Sequence, residues 1–202
     1  MRDVLKVGYL GGTFDPPHLG HEIVAREALY QLGLDRVMWL ITPDPPHKGS
    51  KEITPIQFRL DMLNLVIDRA VEFLLSDIDL QRSPPYFAAD SVEIIARQEP
   101  DVDLVYIIGG DSLQDLPGWF EPDRFVAAID QLAVAPRPGY DPDLAGLIKA
   151  VPGLKEKTVF LSDISMEISS KLIRSRIQQG APFDHFLIPE VANYIRENQL
   201  YR

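Results

Sequence analysis

The chain has 202 residues, with 20 Lys and Arg against 30 Asp and Glu, a formal charge of −10, 46% hydrophobic residues and no cysteine. That length supports one well-filled core. The acidity argues against a nucleic-acid backbone as partner, because such binding rests on many Lys and Arg contacts. Without cysteine there are no disulfides and no thiolate metal sites. No stretch is long and apolar enough to span a bilayer, and the first residues lack the pattern of a signal peptide, so a cytoplasmic location is expected.

An apolar run of Val4, Leu5, Val7, Tyr9 and Leu10 reads as the first strand. It breaks at Gly11-Gly12, passes Thr13-Phe14, turns through Asp15-Pro16-Pro17 and launches a helical pattern at His18 that ends before Gly33. A strand feeding a glycine turn and a helix start is the recipe for an anion site. The glycines let backbone N–H groups approach a phosphate, and the first helical turn adds unpaired donors and a positive dipole end. His18 and His21, three residues apart, share one helix face at that spot. Three readings are open for the pair: helix-start residues without chemistry, metal ligands, or hydrogen-bond donors to a phosphate. The absence of cysteine and of a suitably spaced carboxylate speaks against the metal. Gly20 speaks for the phosphate, because a glycine inside a helix costs about 1 kcal/mol against alanine and suggests that something packs flat on the backbone.

Further apolar runs follow at 37–41, 71–75, 104–108, 132–135 and 159–161, each apolar on both faces, as parallel strands covered on two sides are. Helical patterns occupy 21–32, 56–69, 88–98, 122–130, 171–179 and 189–198. Thr54-Pro55, with Gln57 three residues after Thr54, predicts a capping box with proline at the first helical position. Strands alternating with helices predict a doubly wound, Rossmann-like α/β sheet. We read it as one unit over 1–202, with the sheet core at 1–164 and a helical part at 165–202. The segment 136–146, rich in Pro, Gly and Asp, reads as a surface loop. Ligands of such sheets bind at the C-terminal strand ends, and the remaining motifs sit there.

After the second strand comes Pro43-Asp44-Pro45-Pro46-His47-Lys48, a proline-stiffened loop whose cationic tip is either solvated or a phosphate contact. Gly109-Gly110-Asp111-Ser112 repeats the strand-to-glycine pattern, with Asp111 placed to accept ribose hydroxyls or to cap the next helix. Trp119-Phe120 is an aromatic lid over the core or a stacking platform for a planar ring. Arg137 offers a planar guanidinium to a phosphate. Ile168-Ser169-Ser170-Lys171 opens a helix that carries Arg174 one turn on. In so acidic a chain, Lys48, Arg137, Lys171 and Arg174 are the cations available to an anionic ligand.

Gly11-Gly12-Thr13-Phe14-Asp15-Pro16 with His18-x-Gly20-His21 resembles the signature of the nucleotidyltransferase superfamily that carries an H-x-G-H motif. Among its members the chain is most similar, nearly end to end, to the bacterial nicotinate-nucleotide adenylyltransferases. The matching blocks are Pro45-Pro46-His47-Lys48, Ile108-Gly109-Gly110-Asp111-Ser112, Trp119, Arg137-Pro138-Gly139 and the helix start at 168–174. Three positions depart from that pattern: Asp44, Phe87 where the family carries Thr after Tyr86, and Lys171. The resemblance implies adenylyl transfer from ATP to nicotinate mononucleotide, giving deamido-NAD and pyrophosphate in NAD biosynthesis. It implies His18, His21 and Arg174 as catalytic residues. Gly11, Gly12, Thr13, Phe14, Gly20, Gly109, Asp111, Ile168 and Ser169 would hold ATP. His47, Lys48, Tyr86, Phe87, Trp119, Phe120 and Arg137 would hold the acceptor. Mg²⁺ is implied with ATP, held by the nucleotide rather than by a protein cage. Other acceptors stay open, nicotinamide mononucleotide first and phosphopantetheine after it, as does a nucleotide-binding sensor without chemistry. The partners implied are small molecules, and nothing in the sequence reads out an oligomeric state.

Overall fold

The computed structural model describes residues 4–45, 53–139, 142–164 and 166–202. Its strands are β1 (Leu5–Gly12), β2 (Arg36–Ile41), β3 (Phe73–Ser76), β4 (Val102–Gly109), β5 (Gln131–Ala135) and β6 (Thr158–Phe160). They form one sheet in the order β3-β2-β1-β4-β5-β6, and every neighbouring pair is parallel. Strand order reverses between β1 and β4, and there a crevice opens beyond the carboxyl ends of the strands. Gly11-Gly12 ends β1 and Gly109 ends β4, so both glycine turns lie at that switch point.

The helices are α1 (Leu19–Leu32), α2 (Ile56–Ile67), α3 (Ala88–Gln98), α4 (Gly110–Asp115), α5 (Pro122–Ala128), α6 (Leu144–Ala150), α7 (Leu154–Lys157), α8 (Ser170–Gln178) and α9 (Pro189–Glu197). Strand side chains alternate between two buried layers, as the two-residue period requires. Leu10, Trp39 and Ile41 pack with Ala25 of α1, Met62 of α2, Ile173 of α8 and Val191 of α9. Val7, Tyr9 and Leu40 point the other way, onto Val92 of α3, Phe125 of α5 and Leu147 of α6. The doubly wound, Rossmann-like fold is therefore as expected. The C-terminal helices complete the layer that α1 and α2 began, so the helical part shares the sheet's core.

Several local expectations are corrected. Thr54 and Gln57 form no capping box: Pro55 is the N-cap of α2 without a side-chain bond, and the Gln57 amide donates to Asp61 instead. The third strand starts at Phe73, and Val71 is left exposed in the turn before it. The segment 136–146 is not wholly loop, because α6 begins at Leu144 with Asp143 accepting from the Gly146 N–H at 3.0 Å. The short helices α6 and α7 were not expected. At 7 and 4 residues they are too short for apolar periodicity to declare itself.

Candidate active site

The loop after β1 is built from inside. Phe14 has a left-handed φ of 49°, a conformation that costs a bulky residue about 1–3 kcal/mol. Its ring is buried, tilted against Trp39 at 5.4 Å and edge-on to His21 at 5.0 Å, and these contacts offset the strain. The Phe14 side chain is thus a core group, so any contact of this residue with a ligand falls to its backbone. The two glycines make room for neighbours within the protein: a Cβ at Gly11 would lie 2.2 Å from the Tyr106 hydroxyl, and one at Gly12 would lie 2.9 Å from the Phe14 ring.

His18 is the N-cap of α1. Its ring stacks on that of His21 with centroids 3.7 Å apart and planes 19° apart. The His18 backbone N–H donates to His21 Nδ1 at 3.2 Å, so the neutral His21 ring carries its proton on Nε2. His18 is 5% exposed, and its Nδ1 has no hydrogen-bond partner among the described residues. Burial pushes the His18 pKa down to about 3, the positive Arg137 acts in the same direction, and a backbone bond opposes both. Gly20 has a direct explanation: a Cβ there would sit 3.0 Å from His18 Nδ1 and 3.4 Å from Ile168 Cβ. What packs flat on the helix backbone is the His18 ring.

A cleft of about 510 Å³ opens beside this loop. Of the expected residues, Gly11, Gly12, Thr13, Tyr86, Phe87, Trp119 and Phe120 line it. Phe87 and Phe120 stack at 4.1 Å, while Trp119 meets Phe125 edge-on at 5.2 Å. The cleft also takes Ile108 and Ser112 of the second glycine block, and Thr42, Tyr106 and Asp115, which the sequence reading had not singled out. Tyr106 could have been found, since a tyrosine inside an apolar strand signals a hydroxyl aimed at something. The histidine pair does not line this cleft but flanks it through Phe14 and Gly12.

The positive groups gather along the same edge. Arg137 forms an ion pair with Asp111 at 2.8 Å. Asp111 therefore caps nothing, Gly109 being the N-cap of α4, and one of its carboxylate oxygens is already held by Arg137. A Cβ at Gly109 would meet nothing within 4 Å, so the end of β4 is open. Ser169 caps α8, its hydroxyl accepting from the Leu172 N–H at 3.2 Å, and Ser170 donates to the Pro16 carbonyl at 2.8 Å. Arg174 donates to the Asp15 carbonyl at 2.6 Å and lies 3.9 Å from the Asp15 carboxylate. The loop after β1 and α8 are thereby tied together. His47 and Lys48 lie outside the described residues.

Beneath the site is an arginine that sequence reasoning missed. Arg59 is 1% exposed. It donates to the carbonyls of Thr13 at 2.9 Å, Thr42 at 3.0 Å and Thr54 at 2.8 Å, and also to that of Pro43. One side chain thus joins the turn after β1, the turn after β2 and the entry to α2. Burial lowers its pKa, while Asp15, Tyr201 and Asp44 favour its charge.

A parallel sheet of this order, with a paired-histidine helix start and an arginine-bearing helix meeting at its switch point, defines a nucleotidyltransferase. The cytidylyltransferase-like family model matches residues 9–176. The "Probable nicotinate-nucleotide adenylyltransferase" of Thermomicrobium roseum is 38% identical over 98% of this chain and 92% of its own length. The nicotinate-nucleotide adenylyltransferase of Bacillus subtilis is 34% identical over 97% of this chain and 98% of its own. The chain belongs to the nicotinate-nucleotide adenylyltransferases of the cytidylyltransferase-like family. Plasmodium falciparum nicotinic acid mononucleotide adenylyltransferase complexed with NaAD has the same fold, with a TM-score of 0.77 over 98% of this chain and 97% of that one at 19% identity. Among the described residues, no helix is long and apolar enough to cross a membrane.

Proposed function

We propose that this chain transfers the adenylyl group of ATP to nicotinate mononucleotide, forming deamido-NAD and releasing pyrophosphate. The observation that carries the reading is one edge of the sheet holding two kinds of ground. A half-apolar aromatic cleft suits a pyridine ring and a base, and beside it lies a rim of histidines, Arg137, Arg174 and helix starts suited to phosphates. The acceptor's phosphate oxygen attacks the α-phosphorus of ATP in line, and the bond to the bridging oxygen of pyrophosphate breaks. A phosphate monoester is already a nucleophile, so no protein nucleophile or general base is required. The chain's contribution is positioning and neutralisation of charge on the leaving oxygens.

His21, with its proton on Nε2, donates a hydrogen bond to an ATP phosphate. His18 starts neutral because it is buried, and an approaching phosphate raises its pKa by placing negative charge beside it. Ser169 and Arg174 take the pyrophosphate end, and Arg137 screens the acceptor side. Mg²⁺ enters with ATP as part of that substrate, held by its phosphates. This is how Mg²⁺ is commonly bound, with one or two carboxylates at most from a protein, and we assign no residue of this chain to it.

The test is to offer nicotinate and nicotinamide mononucleotide at equal concentration with ATP and Mg²⁺ and to separate the dinucleotide products. A carboxylate only accepts hydrogen bonds, whereas an amide also donates, so a site fitted to one leaves polar groups unpaired with the other. We expect at least about tenfold preference for nicotinate mononucleotide. Phe87 bears on the margin, since it lacks the hydroxyl that Thr would contribute. A ratio near one, or one favouring the amide, removes the nicotinate assignment.

A further inference from the structure

The wall of the cleft formed by Tyr86 and Phe87 belongs to the connection between β3 and α3, in which Ser83, Pro84 and Pro85 are exposed. Such a connection has little apolar burial of its own to hold it in place. Two side chains do the holding, Ser91 from α3, whose hydroxyl lies 3.1 Å from the Phe87 carbonyl, and Arg82 from within the connection. Arg82 Nη1 donates to the Pro85 carbonyl at 2.7 Å, and Nη2 donates to the Phe87 carbonyl at 3.2 Å. These two carbonyls straddle Tyr86, and the guanidinium lies 5.2 Å from the centroid of the Tyr86 ring. Arg82 therefore fixes Tyr86 from both backbone sides and by its face.

The arginine is itself anchored from below. Its Nε donates to Asp79 Oδ1 at 2.8 Å, and its Nη2 reaches Ser91 Oγ at 3.0 Å. Ser91 in turn donates to the same Asp79 oxygen at 2.7 Å. Asp79 is 2% exposed and Ser91 1%. Asp79 comes just after β3 and Ser91 is in the first turn of α3, so the bracket spans both ends of the connection. A planar five-donor fork can make this set of bonds, and an ammonium on a flexible stem cannot. The far side of the wall is set by the Phe87–Phe120 stack, which transmits its position to the Trp119-Phe120 segment across the cleft.

We propose that Arg82, seated on Asp79 and Ser91, is a positioning residue that fixes the Tyr86–Phe87 wall and thereby sets how well the enzyme holds and discriminates its acceptor. The inference rests on the acceptor reading given above. Recognition of one pyridine substituent over another needs groups held to within about 0.5 Å, and loosening the wall should be felt by the acceptor and not by ATP.

The experiment compares Arg82→Lys with the wild-type enzyme in steady-state kinetics with ATP, nicotinate mononucleotide and nicotinamide mononucleotide, alongside thermal melts. We expect the acceptor KM to rise at least about tenfold, the ATP KM to stay within about twofold, and the ratio of kcat/KM between the two acceptors to fall. A fold-stability role alone would lower the melting temperature and leave that KM split and that ratio where they were, and this outcome overturns the proposal. Should Arg82→Lys not fold, Ser91→Ala removes one anchor beneath the arginine together with the hydroxyl's own contact to the Phe87 carbonyl, and is expected to give the same split at smaller size; an unmoved acceptor KM there overturns it equally. A wild-type enzyme that makes no dinucleotide from either acceptor overturns the acceptor reading and this proposal together. Wild-type turnover with an unmoved split in the variants overturns the proposal alone.

Discussion

The hydroxyl of Tyr201 donates to Oδ1 of Asp15 at 2.8 Å, joining the last residues of the chain to the turn that follows β1. Asp15 is 4% exposed. Its other oxygen lies 3.5 Å from the Thr54 N–H and 3.9 Å from Arg174, and its carbonyl accepts from Arg174. A carboxylate taken out of water needs such partners. Losing one of them loosens the seat of the arginine assigned to the leaving pyrophosphate.

Tyr201→Phe removes that one donor and keeps the ring. It should destabilise the protein by about 1–3 kcal/mol, the cost of leaving a buried polar group short of a partner. Urea melts with an unchanged slope would register it. We also expect a rise in the ATP KM through Arg174. A variant as stable as the wild type would mean that Asp15 Oδ1 is satisfied by water.

Arg59→Met should be more damaging, because it leaves the carbonyls of Thr13, Thr42, Pro43 and Thr54 without their donor at one stroke. A loss of about 3 kcal/mol or more is expected, and Arg59→Lys, which cannot span three segments with one ammonium, should recover only part of it. Denaturant unfolding gives both numbers. A cost below about 1 kcal/mol would show that the loops hold without the arginine.

His18 links stability to pH. Unfolded, a histidine titrates near 6.5, whereas burial has pushed His18 down to about 3. The unfolded state therefore binds its proton more tightly. Stability fully present above about pH 6.5 is lost as the pH falls toward 3. His18→Asn should flatten the fall across that window, by up to about 1.4 kcal/mol per pH unit. Urea melts of both proteins at stepped pH test this, and parallel curves would place the native imidazole in solvent.

His21→Ala should lower turnover by about 10²-fold or more, the usual cost of removing a preorganised donor to developing charge. The fold should be changed only modestly, because the substitution loses one edge contact with Phe14, one stack with His18 and the bond from the His18 N–H at the helix start. Near-normal kcat with an unaltered circular dichroism spectrum would remove His21 from the phosphate site.

The local sequence by itself determined the strand runs, the glycine turns at β1 and β4, the paired histidines at the start of α1, and the serine cap before Arg174. Each is a pattern within a few residues, where apolar periodicity and turn chemistry act directly. Tertiary structure alone decided which polar groups are buried together. Asp15 meets Tyr201 across 186 positions and Arg174 across 159. Arg59 and Arg82 look on paper like any solvated arginine, yet one sits beneath the loops and the other holds the cleft wall. It also decided that Phe14 is core and that the space at Gly11 and Gly12 belongs to Tyr106 and Phe14. The physical reason is desolvation. Whether a charged side chain is costly ornament or structural anchor depends on which carbonyls and carboxylates distant strands bring within about 3 Å of it, and no window of sequence contains that.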